Sequence, residues 1–332
     1  MSDVLIITDK CDLHADIIIE KLDSSKLTPI RLNSEDFNQK CLYNFSWDRH
    51  GQACEQSLSL LDSSRSIQDI KVIWWRKPKD YDAHPEVQDP WAIKYCQDEA
   101  RSFIQSLPGL FPNARWVNNY YNLRQPSRRI NQIPLAMKLG INVPATLVTN
   151  QYAPIVHFLK SHSDCIIKPM DYSGFLHEGE QYACFTRHIN LETVESLRES
   201  IHLAPVFIQK RIEKCAEYRV TLIGKKSFVC RIEATHLNDV DVNLDWRATS
   251  PDKLNHFEDS LPKEYINKLH EMLRLLGLNF GAFDVIRDNA GDLYFIELNP
   301  NGQWYWVEQL TGMPMADAMV KLMEDLANSP TL

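Results

Sequence analysis

At 332 residues the chain is long enough for two or three packed units, and its 44% apolar and 24% charged residues exclude a long disordered or collagen-like segment. A formal charge of -8 with no clustered basic run argues against a protein that grips nucleic acid through its phosphates. No apolar run reaches the roughly 18 residues a membrane helix needs, and the N-terminus enters VLIIT without a basic signal region, so a cytoplasmic protein without a membrane partner is expected.

In chain order, the apolar run at residues 4 to 8 predicts a strand, followed by a helix over 14 to 22 and strands at 28 to 32 and 72 to 75. A helix over 91 to 106 should end at Pro108-Gly109, and a first domain, residues 1–115, closes there. Beyond it the pattern predicts a helix over 127 to 139 capped by Gly140, a strand at 145 to 148, a helix at 152 to 160, and strands at 165 to 168 and 182 to 186. That segment, 116–204, reads as a small central domain. The rest, 205–332, reads as a strand (206 to 209), a hairpin (216 to 223 and 226 to 234), an irregular loop (236 to 258), a helix (263 to 276), a second hairpin (280 to 287 and 292 to 298) and a final helix (315 to 327). The fold class is therefore α/β, with strands and helices interleaved at first and an antiparallel sheet at the end.

Several chemistries are absent from this pattern. Eight cysteines stand singly, with no C-x-x-C pair, and read as buried thiols. There is no G-x-G-x-x-G, and Gly224-Lys225-Lys226-Ser227 lacks the earlier glycine of a P-loop. Neither a G-x-S-x-G elbow nor an H-E-x-x-H helix occurs. The clustered Trp74, Trp75, Trp304 and Trp306 read as core at a domain interface, with a peptide-binding surface as the alternative.

The informative stretch is the second hairpin, in which two apolar strands flank an Asp288 to Asp292 turn and carry Asp284 on one arm, Glu297 and Asn299 on the other. Antiparallel pairing can bring Asp284 beside Glu297 and Asn299, which share a face because side chains alternate along a strand. Two carboxylates and an amide oxygen suit Mg²⁺, which takes few protein ligands and shares the rest with water and phosphate.

The hairpin's D...E-L-N-P-N-G pattern resembles the magnesium site of ATP-grasp ligases, more closely the microviridin-type (graspetide) peptide macrocyclases, and more distantly the RimK-type glutamate ligases. Four further segments carry the likeness. Val72-Ile73-Trp74-Trp75-Arg76-Lys77-Pro78 resembles V-W-W-R-R-P, and Ala136 to Gly140 with Val143 to Leu147 resembles A-x-x-L-G-x-x-V-P-x-T. Glu217 to Thr221 resembles E-L-R-V-T, Asp245-Trp246-Arg247 matches D-W-R, and Gly302-Gln303-Trp304 extends the metal motif.

The resemblance implies an ATP-grasp fold with an N-terminal pre-ATP-grasp domain, a central domain with a phosphate lid over residues 171 to 186, and a C-terminal domain bearing the metal. It implies ATP and Mg²⁺ as cofactors and a precursor peptide, leader and core, as partner, with a homodimer as the expected assembly. Lys168 corresponds to a phosphate-binding lysine, and Arg129, or its neighbour Arg128, stands where the family usually has a second lysine. The hinge strand Phe207 to Glu213 places Gln209 and Ile212 at adenine, and either Glu213 or Glu217 at the ribose. Arg219, Arg247 and Arg231 are the catalytic candidates, since guanidinium forks match the oxygens of a moving phosphoryl group. The implied reaction activates a side-chain carboxylate as an acyl phosphate and closes ester or amide rings. A glutamate-adding ligase and a non-catalytic nucleotide- and leader-binding scaffold are the alternatives.

Overall fold

Residues 4 to 7, apolar without interruption, form the middle of strand β1 (Ser2–Thr8), and all four are buried, as a strand covered on both faces requires. The structure is a computed structural model and describes residues 2–22, 25–60, 70–79, 81–170, 175–177, 180–182, 184–233, 244–246 and 249–329. After β1 come α1 (Leu13–Leu22), β2 (Leu27–Asn33), α2 (Phe37–Lys40), the hairpin β3 (Cys41–Trp47) and β4 (Ala53–Leu60), β5 (Ile70–Trp75), α3 (Pro90–Leu110) and β6 (Arg115–Trp116). The first sheet runs β2-β1-β5-β6, every pairing parallel. Helix α3 starts where Asp89 caps the Trp91 amide with Pro90 in its first turn. It runs two residues past the expected stop: Pro108 forfeits one hydrogen bond in the last turn, while the Phe111 amide still reaches the carbonyl of buried Leu107. The β3–β4 hairpin was not expected.

The middle of the chain holds α4 (Tyr120–Arg124), α5 (Arg129–Lys138), β7 (Thr146–Thr149), α6 (Tyr152–Ser161), β8 (Cys165–Lys168), β9 (Phe175–His177), β10 (Glu180–Tyr182), β11 (Arg187–Ile189), α7 (Leu191–Ser196) and β12 (Val206–Lys210). A four-stranded antiparallel sheet runs β11-β8-β12-β7. Two expectations are corrected here. Of the strand expected at 182 to 186, Tyr182 ends the β9–β10 hairpin and residues 184 to 186 lie outside any strand. The division between residues 204 and 205 severs β12 from the sheet it completes, since Phe207 pairs with Lys168 and Gln209 with Thr146.

The last third comprises β13 (Lys214–Ile223), β14 (Lys226–Glu233), β15 (Asn255–Glu258), α8 (Lys263–Leu275), β16 (Phe280–Asp288), β17 (Leu293–Asn299), α9 (Tyr305–Thr311) and α10 (Met315–Ala327). Its antiparallel sheet runs β15-β14-β13-β16-β17. Strand β15 falls inside the stretch read as irregular loop. One face of this sheet buries Tyr218, Val220, Leu222, Phe283, Val285 and Phe295 in a core shared with Leu269, Met272 and Leu273 of α8. The other face carries Arg219, Asp284, Glu297 and Asn299 beside Cys230, Ile232 and Phe280, which join a second core with α1 and α10.

The cysteines divide rather than being uniformly buried: Cys165 and Cys230 are buried, Cys41 and Cys96 half-buried, and Cys11, Cys184 and Cys215 exposed, while the side chain of Cys54 lies outside those described. Burial pushes the Cys230 thiol up to about 12. Trp74, Trp75 and Trp304 are buried as expected, whereas Trp306 is half-buried. Among the described residues no helix is long and apolar enough to cross a membrane.

Candidate functional site

The pairing of β16 with β17 explains how two acids meet. Val285 faces Phe295 and Ile286 faces Tyr294, and continuing that register would set Asp284 opposite Ile296, with Glu297 turned to the apolar face. A bulge between Asp284 and Val285 takes up Ile296 as the extra residue, so Asp284 faces Glu297 and Ala282 faces Asn299. One irregular residue thus moves Glu297 and Asn299 to the polar face. Alternation alone predicted that these two share a face; the bulge is what makes it the face of Asp284.

Arg219 joins them because it is directly opposite Asp284 on β13, and its Nη1 donates to Asp284 Oδ1 at 2.8 Å. Arg129, at the start of α5, donates from Nη2 to Glu297 Oε2 at 2.6 Å and from Nη1 to the Pro169 carbonyl at 2.8 Å. Side-chain exposure is 6% and 3% for Arg129 and Glu297, and 6% and 5% for Arg219 and Asp284. Charges so far from water need a partner, and each of these arginines has one in the carboxylate it faces. Asn299 Nδ2 donates to Glu297 Oε1 at 3.0 Å, completing a contiguous set of hard oxygen donors. That donor set fits Mg²⁺.

The loop after β17 is held close. A Cβ on Gly302 would lie 2.7 Å from Arg219 Nη2 and from Ala282 Cβ, so only glycine admits this approach. The Gln303 carbonyl accepts from Arg219 Nη2 at 3.1 Å. Two amides that sequence reasoning missed fasten the same segment. Gln132 exchanges two hydrogen bonds with the Leu298 backbone, at 2.7 Å each, as a neighbouring strand would, and Nε2 also donates to the Pro126 carbonyl at 2.6 Å. Buried Asn118 donates to the carbonyls of Phe280 and Pro300 at 2.9 and 2.8 Å. Their partners in this segment lie more than 160 residues away, so no local pattern marks them.

Two chambers border this face. One is lined by Lys168, Gln209, Ile212 and Glu217 together with Asp284 and Ile296. Here the structure brings together the residues expected at a nucleotide. Gln209 is 2% exposed and donates from Nε2 to Thr146 Oγ1 at 2.9 Å. Of the two ribose candidates, Glu217 is on the wall, bonded to Lys214 Nζ, while Glu213 is exposed and does not line the chamber. The second chamber, about 700 Å³, is lined by Arg129, Arg219, Glu297 and Asn299 on one side and by Lys77, Trp246 and Trp306 on the other.

Arg231 does not join the site. Because Arg219 pairs with Cys230, Arg231 lies beside Tyr218 on the opposite face, where it meets Glu233 at 2.7 Å and Asp259 at 3.4 Å and stacks over Phe257. The two-residue turn Gly224-Lys225 fixes that parity, and counting back from it finds the correct face. Arg247 lies outside the described residues, as do residues 171 to 174, 178 to 179 and 183 of the expected lid.

Residues 3–124 match the MvdD pre-ATP grasp domain, and residues 135–299 match the ATP-grasp domain of prokaryotic glutathione synthetase. No curated protein matches the chain by sequence. Among solved structures, a RiPP-associated ATP-grasp ligase of Chryseobacterium gregarium, in complex with ADP and a leader and core peptide, superposes with a TM-score of 0.88 at 24% identity, covering 100% of this chain and 98% of that one. The macrocyclase MdnC of Microcystis aeruginosa MRC, bound with precursor peptide MdnA, gives 0.82 at 20% identity over 97% and 99%. The ligase PsnB, complexed with a phosphomimetic variant of its minimal precursor, Mg and ADP, gives 0.74 at 17% identity over 99% of each chain. At these identities the likeness establishes a shared fold.

Proposed function

We propose that this chain, which has the ATP-grasp fold behind a pre-ATP-grasp domain, is an ADP-forming ligase that closes ester or amide crosslinks in a ribosomal precursor peptide. The observation that carries this reading is the convergence of Asp284, Glu297, Asn299 and Arg219 on one sheet face bordered by two chambers. A reaction joining a nucleotide phosphate to a second substrate needs that arrangement, with one chamber for each reactant.

ATP lies in the first chamber, with Lys168 at its phosphates, Gln209 and Ile212 near adenine and Glu217 at the ribose. Arg129 is the second phosphate cation, held in place by Glu297. Asp284, Glu297 and Asn299 hold Mg²⁺, which when bound neutralises charge on the phosphate oxygens. The peptide occupies the second chamber. A side-chain carboxylate oxygen attacks the γ-phosphorus, the bond to the bridging oxygen breaks, and ADP leaves. A peptide hydroxyl or amine then attacks the acyl carbon, loses its proton and expels inorganic phosphate, so each crosslink removes one water from the peptide. Arg219 and, on the D-W-R resemblance alone, Arg247 face the charge that builds on the moving phosphoryl group. Because the nucleophile comes from the substrate, the chain has no need of a Ser-His or Cys-His pair.

The neighbours' complexes with leader and core peptide, precursor peptide, Mg and ADP support the choice of substrate and cofactors. The reaction belongs in the cytoplasm, where a ribosomal precursor and ATP are both at hand, and a homodimer is the assembly that light scattering should find. The test is to incubate the chain with ATP, Mg²⁺ and each peptide encoded by the short reading frames beside its gene, then weigh the product. Loss of whole waters matched by ADP release, without added amino acid, supports the reading. Mass gain with free glutamate would point to a glutamate-adding ligase, and nucleotide binding without turnover to a scaffold.

A further inference from the structure

The N-terminal domain reaches the site through a contact that neither the metal ligands nor the nucleotide chamber requires. The turn between β1 and α1 carries Asp12, and the second residue of α1 is His14, both buried. Asp12 is held from three sides. Thr8 Oγ1 donates to it at 2.6 Å, Arg76 Nε lies 3.5 Å away, and His14 Nδ1 lies 3.3 Å away. The other nitrogen of the ring, His14 Nε2, accepts from the backbone N–H groups of Trp304 at 3.1 Å and Tyr305 at 3.2 Å.

Those two amides open helix α9, which has no capping side chain of its own. The first N–H groups of a helix lack partners within it, and buried ones must find an acceptor elsewhere. Here the acceptor comes from another domain, 290 residues away in sequence. An imidazole that accepts at Nε2 carries its proton on Nδ1, the tautomer that a carboxylate beside Nδ1 selects. Burial, opposed by the bond to Asp12, lowers the proton affinity of His14 and keeps Nε2 available as an acceptor.

Arg76, 1% exposed, takes hold of the same loop three residues earlier. Its Nη1 donates to the Asn301 carbonyl at 2.7 Å, and Asn301 Nδ2 donates back to the carbonyls of Trp75 and Arg76. Between these two anchors lie Gly302, packed against the Arg219 guanidinium, and Gln303, whose carbonyl accepts from it. The loop has both ends on the N-terminal domain and its middle on the arginine that faces Asp284. We infer that His14, in the tautomer set by Asp12, is a positioning residue for the ligation reaction, acting through the Trp304 and Tyr305 amides and the Gln303 carbonyl on Arg219. This rests on the ligase reading above.

Two substitutions in the full chain test it. His14→Phe keeps a ring of similar shape against Trp304, whose centroid is 5.2 Å away, but removes the acceptor, whereas His14→Gln supplies a carbonyl oxygen in its place. In His14→Phe the amides of Trp304 and Tyr305 should exchange with deuterium at least about tenfold faster, the scale of a lost acceptor for a buried donor. The kcat for water loss from the peptide should fall by a similar factor, while KM for ATP stays within about twofold, because the nucleotide chamber is walled by other strands. His14→Gln should recover most of both losses. Unchanged exchange at those amides in His14→Phe overturns the clamp, and faster exchange with unchanged kcat overturns its service to the reaction. A matched fall in kcat and rise in KM, with a lower melting temperature in both variants, also overturns it by making His14 a general structural residue. If the wild-type chain dehydrates no peptide, the ligase reading fails first and visibly, and exchange in the presence of Mg²⁺ and ADP still decides whether His14 holds the loop.

Discussion

The two faces of the C-terminal sheet are built from the same strands, often from adjacent residues, yet they are organised on opposite principles. On one, Tyr218, Phe283, Val285 and Phe295 pack against α8 with no charge among them. On the other, Cys230, Ile232 and Phe280 join a second apolar core, but between them and the sheet edge Arg219, Asp284 and Glu297 form a patch just as inaccessible and polar, each charge satisfied by a partner of opposite charge. A buried apolar face stabilises through area removed from water, whereas buried ion pairs roughly break even against an apolar replacement. The polar face is therefore poorly explained as a stability device. Its organisation makes sense as a surface preset for charged ligands, carried by the stability of the face behind it.

Separating the two faces by substitution is the sharpest use of this contrast. Glu297→Gln keeps the shape of the side chain and an oxygen for Arg129, but removes the charge on the metal side, so kcat should fall at least about 10²-fold. Near-native turnover at ordinary Mg²⁺ would sink the assignment. On the opposite face Phe283→Ala should do the reverse, costing about 3–5 kcal/mol of stability by urea unfolding while the remaining folded fraction stays active. Loss of activity with stability intact would show that the faces are not separable in this way.

Lys168→Met tests the nucleotide chamber: titration calorimetry should give about tenfold or weaker ATP binding with peptide affinity retained, since the ammonium meets phosphate. Equal loss of both affinities would indicate misfolding. A smaller effect concerns pH. Because burial depresses His14 in the folded state, the unfolded chain takes up that proton first as pH falls through its ordinary value of about 6.5. Stability should decline on the acid side of that value, and His14→Gln should flatten the slope just below it. The smallest change is expected from Arg231→Ala: its ion pairs are one-third exposed and on the apolar side of the sheet, so stability should shift by at most about 1 kcal/mol and kcat should hold. A large loss of kcat would return Arg231 to the site.

The same contrast shows what a sequence can disclose. Period-two alternation and the Asp288 to Asp292 turn are local, so the hairpin and its acids could be read directly, and the alternation of β13 and β14 with Gly224-Lys225 between them held the answer for Arg231. The bulge at Ile296 carries no such signal, because one extra residue changes a face without changing composition. Strand β15, Asn255–Glu258, is a four-residue edge with a single apolar side chain and could not show a strand period. His14, Arg76, Asn118 and Gln132 act on backbone groups far away in sequence, and as isolated residues they are indistinguishable from ordinary polar positions. What escaped the sequence is mainly the apparatus that holds the site in place.

The most direct test of carboxylate activation at the polar face follows oxygen. The substrate peptide is prepared with ¹⁸O in its side-chain carboxylates and incubated with the chain, unlabelled ATP and Mg²⁺, and the inorganic phosphate is then weighed. Attack of the carboxylate on the γ-phosphorus predicts one ¹⁸O in phosphate for every crosslink formed, with ADP free of label. Crosslinks accompanied by unlabelled phosphate, or by ¹⁸O in AMP, would contradict the acyl-phosphate account.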